Sequence, residues 1–381
     1  MIDIKTINVF TEGDSSLLST WSNIPYFLTT NLEKQGYTIN RINIESSYLT
    51  QQIWNKIVFR LLTKLFRNNI YWYDRTFICY LETFIKIWFL NNKYSDADIN
   101  LFISYSFYNP FSKKPNILFS DWDYETMIKD KRNRNPYFFE KWSMKRQEKV
   151  IKKADLVISL FAKAAEEMKI RYSKENVINL GNNVVNVFYD KGLNEKEILI
   201  KKQNSNRIIF IGSIKYIEGV KMLIDAFRNL KIYNPLLELV IIGINRKYLP
   251  AKLPEGITFH GYLDKGEKSD NQIYYNELLN AKILINPTPT WAGYSSTIEA
   301  MFFYTPIIVS PYSDFVTEFG NNIDFGEYCD GFNLTNLEDA IKKLLESENY
   351  KQICLNARNR VKDYTWENYI DKLIVEIQNI K

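Results

Sequence analysis

The chain of 381 residues contains a single histidine, His260, and only three cysteines, Cys79, Cys329 and Cys354, set far apart. That count excludes a multi-histidine metal cage and most histidine-based catalytic triads. The odd, scattered thiols argue against a disulfide scaffold or a zinc site, and a reducing compartment is expected. No window approaches the ~18 uninterrupted apolar residues of a membrane-spanning helix. The opening residues, MIDIKTINVFTEG, lack the charged-then-apolar pattern of a secretion signal, so a cytoplasmic location is expected. A G-x-x-x-x-G-K-[ST] loop, a G-x-G-x-x-G after the first strand and a G-x-S-x-G elbow are all missing. Phosphate-loop hydrolysis, hydride transfer and serine hydrolysis thereby lose their usual signatures.

Hydrophobic residues make up 46% and charged residues 24%, a balance that supports a real buried core, and at about 150 residues per domain the length suggests two domains or a large single one. The net charge of +5 is small but unevenly spread: residues 129–153 hold ten Lys/Arg against three acids. Two readings fit that stretch, a contact with an anionic partner such as lipid head groups or phosphates, or a solvated helix face beside a basic loop. Nucleic acid is not the expected partner.

Strand-length apolar runs alternate with helix-length amphipathic segments, the pattern of α/β folds with parallel sheets. In the first half, KTINVFT, YTINRINI, INLFISYS, NILFSDW and DLVISL read as strands. WSNIPYFLTTNLEKQG, residues 138–153 and AKAAEEMKIRY read as helices. After a charged stretch, NEKEILIKKQNSN, the pattern restarts with RIIFIGSI, LELVIIG, ITFHGYL, KILINPT and PIIVSPY as strands separated by helical segments. Two Rossmann-like domains facing across a cleft are expected, residues 1–190 and 191–365. The closing helix, 366–381, is expected to cross back onto the first, with ligand at the carboxyl ends of the strands.

Residues 51–68, QQIWNKIVFRLLTKLFRN, place Ile53, Trp54, Ile57, Val58, Leu61, Leu62, Leu65 and Phe66 on one face, beside a basic stripe of Lys56, Arg60, Lys64 and Arg67. That composition suits a helix lying in an anionic membrane interface, and equally a core-facing helix with solvated cations. The apolar run FICYLETFIKIWFL follows it.

The second half carries a resemblance. IIFIGSIKYIEGVKMLIDAF is similar to the strand, loop and helix that open the nucleotide-binding domain of GT-B glycosyltransferases, particularly family 4 (group 1). LELVIIG, ITFHGYL and NQIYYNELLNAKILINPT follow in that family's order. GYSSTIEAMFFYTPIIVS resembles its donor-site segment and YTWENYIDKLI its closing helix. In the first half TWSNIPYFLTTNLEKQGY, EKVIKKADLVISLFAKAAEEM and NLGNNVVNVFYD resemble family elements, so the likeness runs over nearly the whole chain. It implies a GT-B fold and a retaining, metal-independent hexosyl transfer without cofactor. The donor would be a UDP- or GDP-sugar. The acceptor would be a lipid-linked or cell-surface polysaccharide in bacterial glycan, lipopolysaccharide or capsule biosynthesis, handled at the inner membrane face.

The donor's chemistry agrees with the residues. A turn at Gly293, Tyr294, Ser295 and Ser296 ahead of a helix offers free N–H groups and the positive end of its dipole to a diphosphate. Glu299, about one turn further, can accept both ribose hydroxyls. Gly212 and Ser213 follow the first strand of this half, and His260 falls where the family packs the base. Three departures stand out. Trp291 occupies the place of the family's first donor-site glutamate, and Ser213 and Glu218 occupy the places of its diphosphate-binding Arg and Lys. Lys215, with Lys221, is the nearest substitute cation. In the first half, Asp121 and Asp123 end a strand where the family often places a catalytic-region residue. Either can serve the donor sugar or the acceptor as a hydrogen-bond partner or base, or cap a helix. The missing cations also leave open a non-catalytic GT-B partner subunit. A sugar-nucleotide epimerase or hydrolase, whose sites are rich in histidine, fits less well.

Overall fold

The computed structural model describes residues 3–181, 183–189, 191–289 and 294–380. The chain divides into two compact units, 1–183 with 366–381, and 184–365. The second unit begins earlier than the expected 191 because its entry segment is tied into it. Val185 N–H donates to the Tyr364 carbonyl (2.9 Å) and Phe188 N–H to the Tyr275 hydroxyl (2.7 Å).

Each unit is built on a six-stranded sheet whose pairings are all parallel. In the first, β1 (Thr6–Thr11), β2 (Thr38–Asn43), β3 (Ile99–Phe102), β4 (Asn116–Ser120), β5 (Leu156–Ser159) and β6 (Val177–Ile178) lie in the order β2-β1-β3-β4-β5-β6. In the second, β7 (Arg207–Ile211), β8 (Glu238–Ile242), β9 (Ile257–His260), β10 (Ile283–Asn286), β11 (Ile307–Val309) and β12 (Gly326–Tyr328) lie in the order β12-β11-β10-β7-β8-β9. A parallel sheet is covered by helices on both faces, which is why its strands read as unbroken apolar runs: INLF, LVIS and ILIN are buried at every position. Inside the first sheet a row of amides links three strands, Asn40 Nδ2 donating to Asn8 Oδ1 (2.9 Å) and Asn8 Nδ2 to Asn100 Oδ1 (3.1 Å).

The closing helix, Trp366–Gln378, belongs to the first unit, where the Trp366 ring stacks on Phe27 (6.3 Å between centroids) and Tyr369 meets Phe119 edge-on (6.1 Å). The charged stretch expected as a linker is a helix, Glu195–Gln203, opened by Asn194 accepting from Glu197 N–H. It buries Ile198, Leu199 and, unexpectedly, Lys202. The Lys202 ammonium closes the carboxyl end of the helix Lys268–Asn280, donating to the carbonyls of Leu278 and Ala281 (3.0 Å each) and to Thr305 Oγ1 (2.6 Å). A cation there meets both the orphan carbonyls and the negative end of the helix dipole.

Of residues 51–68, those up to Leu65 belong to a continuous helical run from Tyr48 to Leu65 that widens into a π-helical turn at Trp54–Val58, and the run ends three residues short of 68. The expected single apolar face is split. Trp54 turns inward, its indole N–H donating to the Tyr71 carbonyl (3.3 Å), and Phe59 is buried against Trp72. Ile53, Ile57, Leu61 and Leu65 instead form an outward row, each 51–68% exposed. Lys56, Arg60, Lys64 and Arg67 are exposed beside it. On the next helix, Phe77–Lys93, the side chains of Phe77, Ile78, Leu81, Ile85, Trp88 and Phe89 are likewise exposed along one face.

Burial depresses the Lys202 pKa to about 7, far below its value in an unfolded chain. Between pH 7 and about 10 the folded protein therefore binds fewer protons than the unfolded one, and this group makes stability rise with pH. Lys202→Met is expected to lower stability by about 1–3 kcal/mol, because three acceptors lose their donor, and to remove that rise. Urea unfolding of both proteins at pH 7 and pH 9 checks this.

Candidate functional site

In the second unit the strand order reverses between β7 and β10, the position at which open α/β sheets leave a crevice for ligand. Two loops and one helix meet there at very short range. Gly212 follows β7 and Gly243 follows β8. A Cβ on Gly243 would lie 2.2 Å from the Gly212 carbonyl oxygen, and its φ of +90° is itself glycine-like. The helix Tyr294–Phe302 is pinned to the same edge, Ser296 Oγ donating to the Ile211 carbonyl (3.0 Å). Gly212, Ser213 and Ser296 are thus brought together, with Ser295 exposed on the first turn of that helix. Tyr294 points into the core, its ring 5.9 Å from Phe315 and 6.1 Å from Phe319. Gly293 and Trp291 lie outside the described residues.

Glu299 is buried within the same helix. Its carboxylate accepts four hydrogen bonds: Lys265 Nζ reaches both oxygens at 3.0 Å, Tyr274 Oη donates to Oε2 (2.7 Å) and Tyr275 Oη to Oε1 (3.1 Å). A carboxylate offers about four lone-pair sites, so this one is fully occupied by the protein's own donors. Burial, and next the Glu299 charge, hold both tyrosine pKa values well above the ordinary phenol range, so they remain protonated donors. Lys265 and the adjacent tyrosines escaped the sequence reading because they lie 24–34 positions away from Glu299 and come together only through the helix Lys268–Asn280.

The remaining second-unit residues stand apart. His260 ends β9 with Nε2 3.2 Å from Glu277 Oε1, and Glu277 also holds Arg207 at 2.6 Å. Lys215 is exposed, its ammonium 5.0 Å above the Tyr216 ring, and Lys221 pairs with Glu218 at 2.7 Å. Lys265 also lines a recess of about 800 Å³ with Phe188, Tyr189, Lys191, Lys201 and Lys268.

In the first unit the order reverses between β1 and β3, and a pocket of about 320 Å³ opens at that edge. Its walls come from the residues just past three strand ends: Thr11 and Glu12 at β1, Ile103 to Ser106 at β3, and Ser120, Asp121 and Trp122 at β4. Asp74, Arg75, Trp21 and Gln147 add to them, with Thr20, Pro25 and Met127. Asp121 is therefore in the pocket, accepting from Trp122 N–H (2.8 Å), and burial raises its pKa. Asp123 is not among the walls. It caps a helical turn through Thr126 N–H (3.1 Å) and is enclosed by Arg171 (2.6 Å) and the Tyr172 hydroxyl.

Lys265→Met leaves the buried Glu299 charge without its cation and is expected to destabilise the second unit by about 3 kcal/mol. Tyr274→Phe, which deletes one hydrogen bond, is expected to cost about 1 kcal/mol. Guanidinium unfolding of the two variants gives that order, and equal losses would refute the ion pair as the dominant partner.

Comparison with known proteins agrees with this architecture. A family model described as "Glycosyl transferases group 1" matches residues 193–365. No curated protein sequence matches significantly. Among solved structures, sucrose-phosphate synthase from Thermosynechococcus elongatus superposes with a TM-score of 0.69 at 14% identity over 99% of this chain and 100% of that one. WaaG, a glycosyltransferase involved in lipopolysaccharide biosynthesis, superposes with a TM-score of 0.63 at 12% identity over 97% and 99%. TarM of S. aureus, solved with Fondaparinux, alpha-GlcNAc-glycerol and UDP, superposes with a TM-score of 0.56 at 15% identity over 78% and 59%. At these identities the structures speak for the fold, the two-sheet GT-B architecture, while the family match speaks for the chemistry. Residues 193–365 thus carry a group 1 glycosyl transferase domain, and that domain supports reading the protein as a glycosyltransferase enzyme.

Proposed function

We propose that the chain moves a sugar from a UDP- or GDP-linked donor to a lipid-linked or cell-surface glycan acceptor, with retention of configuration and without a metal. The observation that carries this reading is Glu299, a buried carboxylate in a group 1 domain, on the helix anchored at the β7 carboxyl end. In the reaction the bond between the anomeric carbon and the diphosphate oxygen breaks. A bond from the acceptor oxygen to that carbon forms, and the acceptor's hydroxyl proton passes to the departing diphosphate. The N–H groups opening the helix Tyr294–Phe302, with Ser295 and Ser296, serve the diphosphate. Lys215 is the cation nearest to the place of the missing family pair. Glu299 holds the ribose by exchange, giving up a bond from Lys265 for each hydroxyl it accepts. Asp121 faces the acceptor hydroxyl as hydrogen-bond partner.

The lipid-linked acceptor is met at an anionic membrane surface. The outward Ile53, Ile57, Leu61 and Leu65 row supplies the apolar contact, and Lys56, Arg60, Lys64 and Arg67 the charge, in a stretch with no acid between Glu45 and Asp74. Localisation is then peripheral, on the cytoplasmic face.

Donor turnover by a panel of UDP-, GDP- and dTDP-sugars tests the reaction. Glu299→Gln is expected to weaken nucleotide binding by about 1–3 kcal/mol, and unchanged affinity would refute the ribose role. Donor binding without turnover would favour the non-catalytic partner subunit, to which Ser213 and Glu218 already point. For the membrane, replacing Lys56, Arg60 and Lys64 by serine is expected to lower affinity for phosphatidylglycerol vesicles by about 1 kcal/mol per cation, with little change on neutral vesicles.

A further inference from the structure

We propose that the pocket at the β1/β3 reversal selects an acceptor whose reacting sugar unit carries no negative charge. This rests on the sugar-transfer reading above and adds the charge class of the acceptor, which that reading leaves open.

At about 320 Å³ the pocket is at the small end of ligand sites. Trp21 and Trp122 bring indole surface to the walls, of which Trp21 is the one available to the C–H face of a pyranose, since the Trp122 ring is stacked on Phe161 with the Lys131 ammonium over it, and Ser104, Ser106 and Gln147 offer hydrogen bonds. The charge is lopsided, because three carboxylates, Glu12, Asp74 and Asp121, share the walls with one cation, Arg75. That cation is already engaged, its Nε 3.0 Å from Asp74, its Nη1 donating to Ser106 Oγ (3.3 Å), and its guanidinium over the Tyr124 ring at 4.8 Å. Glu12 is left with a hydroxyl partner, Ser104 Oγ at 3.3 Å, and Asp121 with the Trp122 N–H and the Ser120 hydroxyl. Among the described residues no group of carboxylates converges as a metal site would, so no bound cation is expected to reverse the sign. Sugar hydroxyls entering this pocket donate to carboxylates, whereas a uronate or phosphate meets like charge in a partly desolvated space.

Although Glu12 is an exposed residue, desolvation of its carboxyl by the surrounding walls first, and the neighbouring Asp74 charge next, push it up to about 7. The charged groups acting on it are Asp74, Arg75 and Glu45. Between pH 8 and pH 6 Glu12 takes up a proton, and the discrimination should shrink with it.

The test is ligand-observed NMR titration of the full chain with methyl hexosides and the methyl hexuronides of matching configuration. At pH 8 the hexuronides are expected to bind about tenfold or more weakly, as like-charge contacts dictate, and the gap is expected to narrow towards pH 6. In Glu12→Gln the gap is expected to be narrower at pH 8, since only Asp74 and Asp121 remain, and to change less between pH 8 and pH 6. Hexuronide binding equal to or tighter than hexoside binding at pH 8 would overturn the proposal, as would a gap in the unaltered chain that does not move with pH. The pH series needs no variant, so it decides even if Glu12→Gln fails to fold. Donor hydrolysis is measured in parallel. Continued hydrolysis with no hexoside binding overturns this inference alone, while absent donor turnover is a failure of the sugar-transfer reading.

Discussion

The parallel direction of every strand is the constraint from which the rest of the molecule follows. A parallel pair cannot be joined by a tight turn, so each connection must cross a face of the sheet and return to the same edge. All strand carboxyl ends of a unit then lie along one edge. The sheet order reverses once, leaving a gap where neighbouring connections leave in opposite directions. The reversal falls between β1 and β3 in one unit and between β7 and β10 in the other. Glu12, Ser104, Gly212 and the helix bearing Glu299 are all within a few residues of those strand ends. The chemistry-bearing residues of both units are therefore placed by topology before any side chain is chosen.

How the carboxylates are treated separates two kinds of acid. Glu140 is fully buried, held by Arg134 at 2.7 and 2.8 Å and by the N–H groups of Ile70 and Tyr137. Asp123 is equally enclosed by Arg171, Tyr172 and Thr126. Such charges persist inside a protein only with their lone pairs filled. Glu12 and Asp121 are left with hydroxyl and backbone partners at the wall of a pocket, the condition of groups kept for a ligand. Glu299 combines both conditions, since it stands at a ligand edge and is nevertheless saturated from within.

Much of this was legible in the sequence. The helix Phe138–Lys153 begins and ends where its amphipathic pattern does, since Glu140 accepts from Tyr137 N–H and fixes the start. Ten of the twelve strands stand where the apolar runs stand, while β6 and β12, two and three residues long, carry no such run. Less was visible where structure depends on distant partners. The charged Glu195–Gln203 resembles a linker until Lys202 finds carbonyls more than seventy positions away. The helix on 51–68 was legible, but a π-helical turn between Trp54 and Val58 decided which residues face out, and local periodicity does not register one extra residue per turn. Asp121 and Asp123 are two positions apart and look alike in sequence. The backbone places one in a pocket and gives the other to Arg171.

The placement of Trp366–Gln378 has a consequence for biosynthesis. The second unit is one uninterrupted stretch, while the first is assembled from both ends of the chain. Phe27 and Phe119 find their partners Trp366 and Tyr369 only after the residues of the second unit have left the ribosome. Domains ordinarily mature in the order of translation, amino-terminal first. Here the later-translated unit can reach its final packing while the earlier one still lacks the two rings that close its aromatic seam.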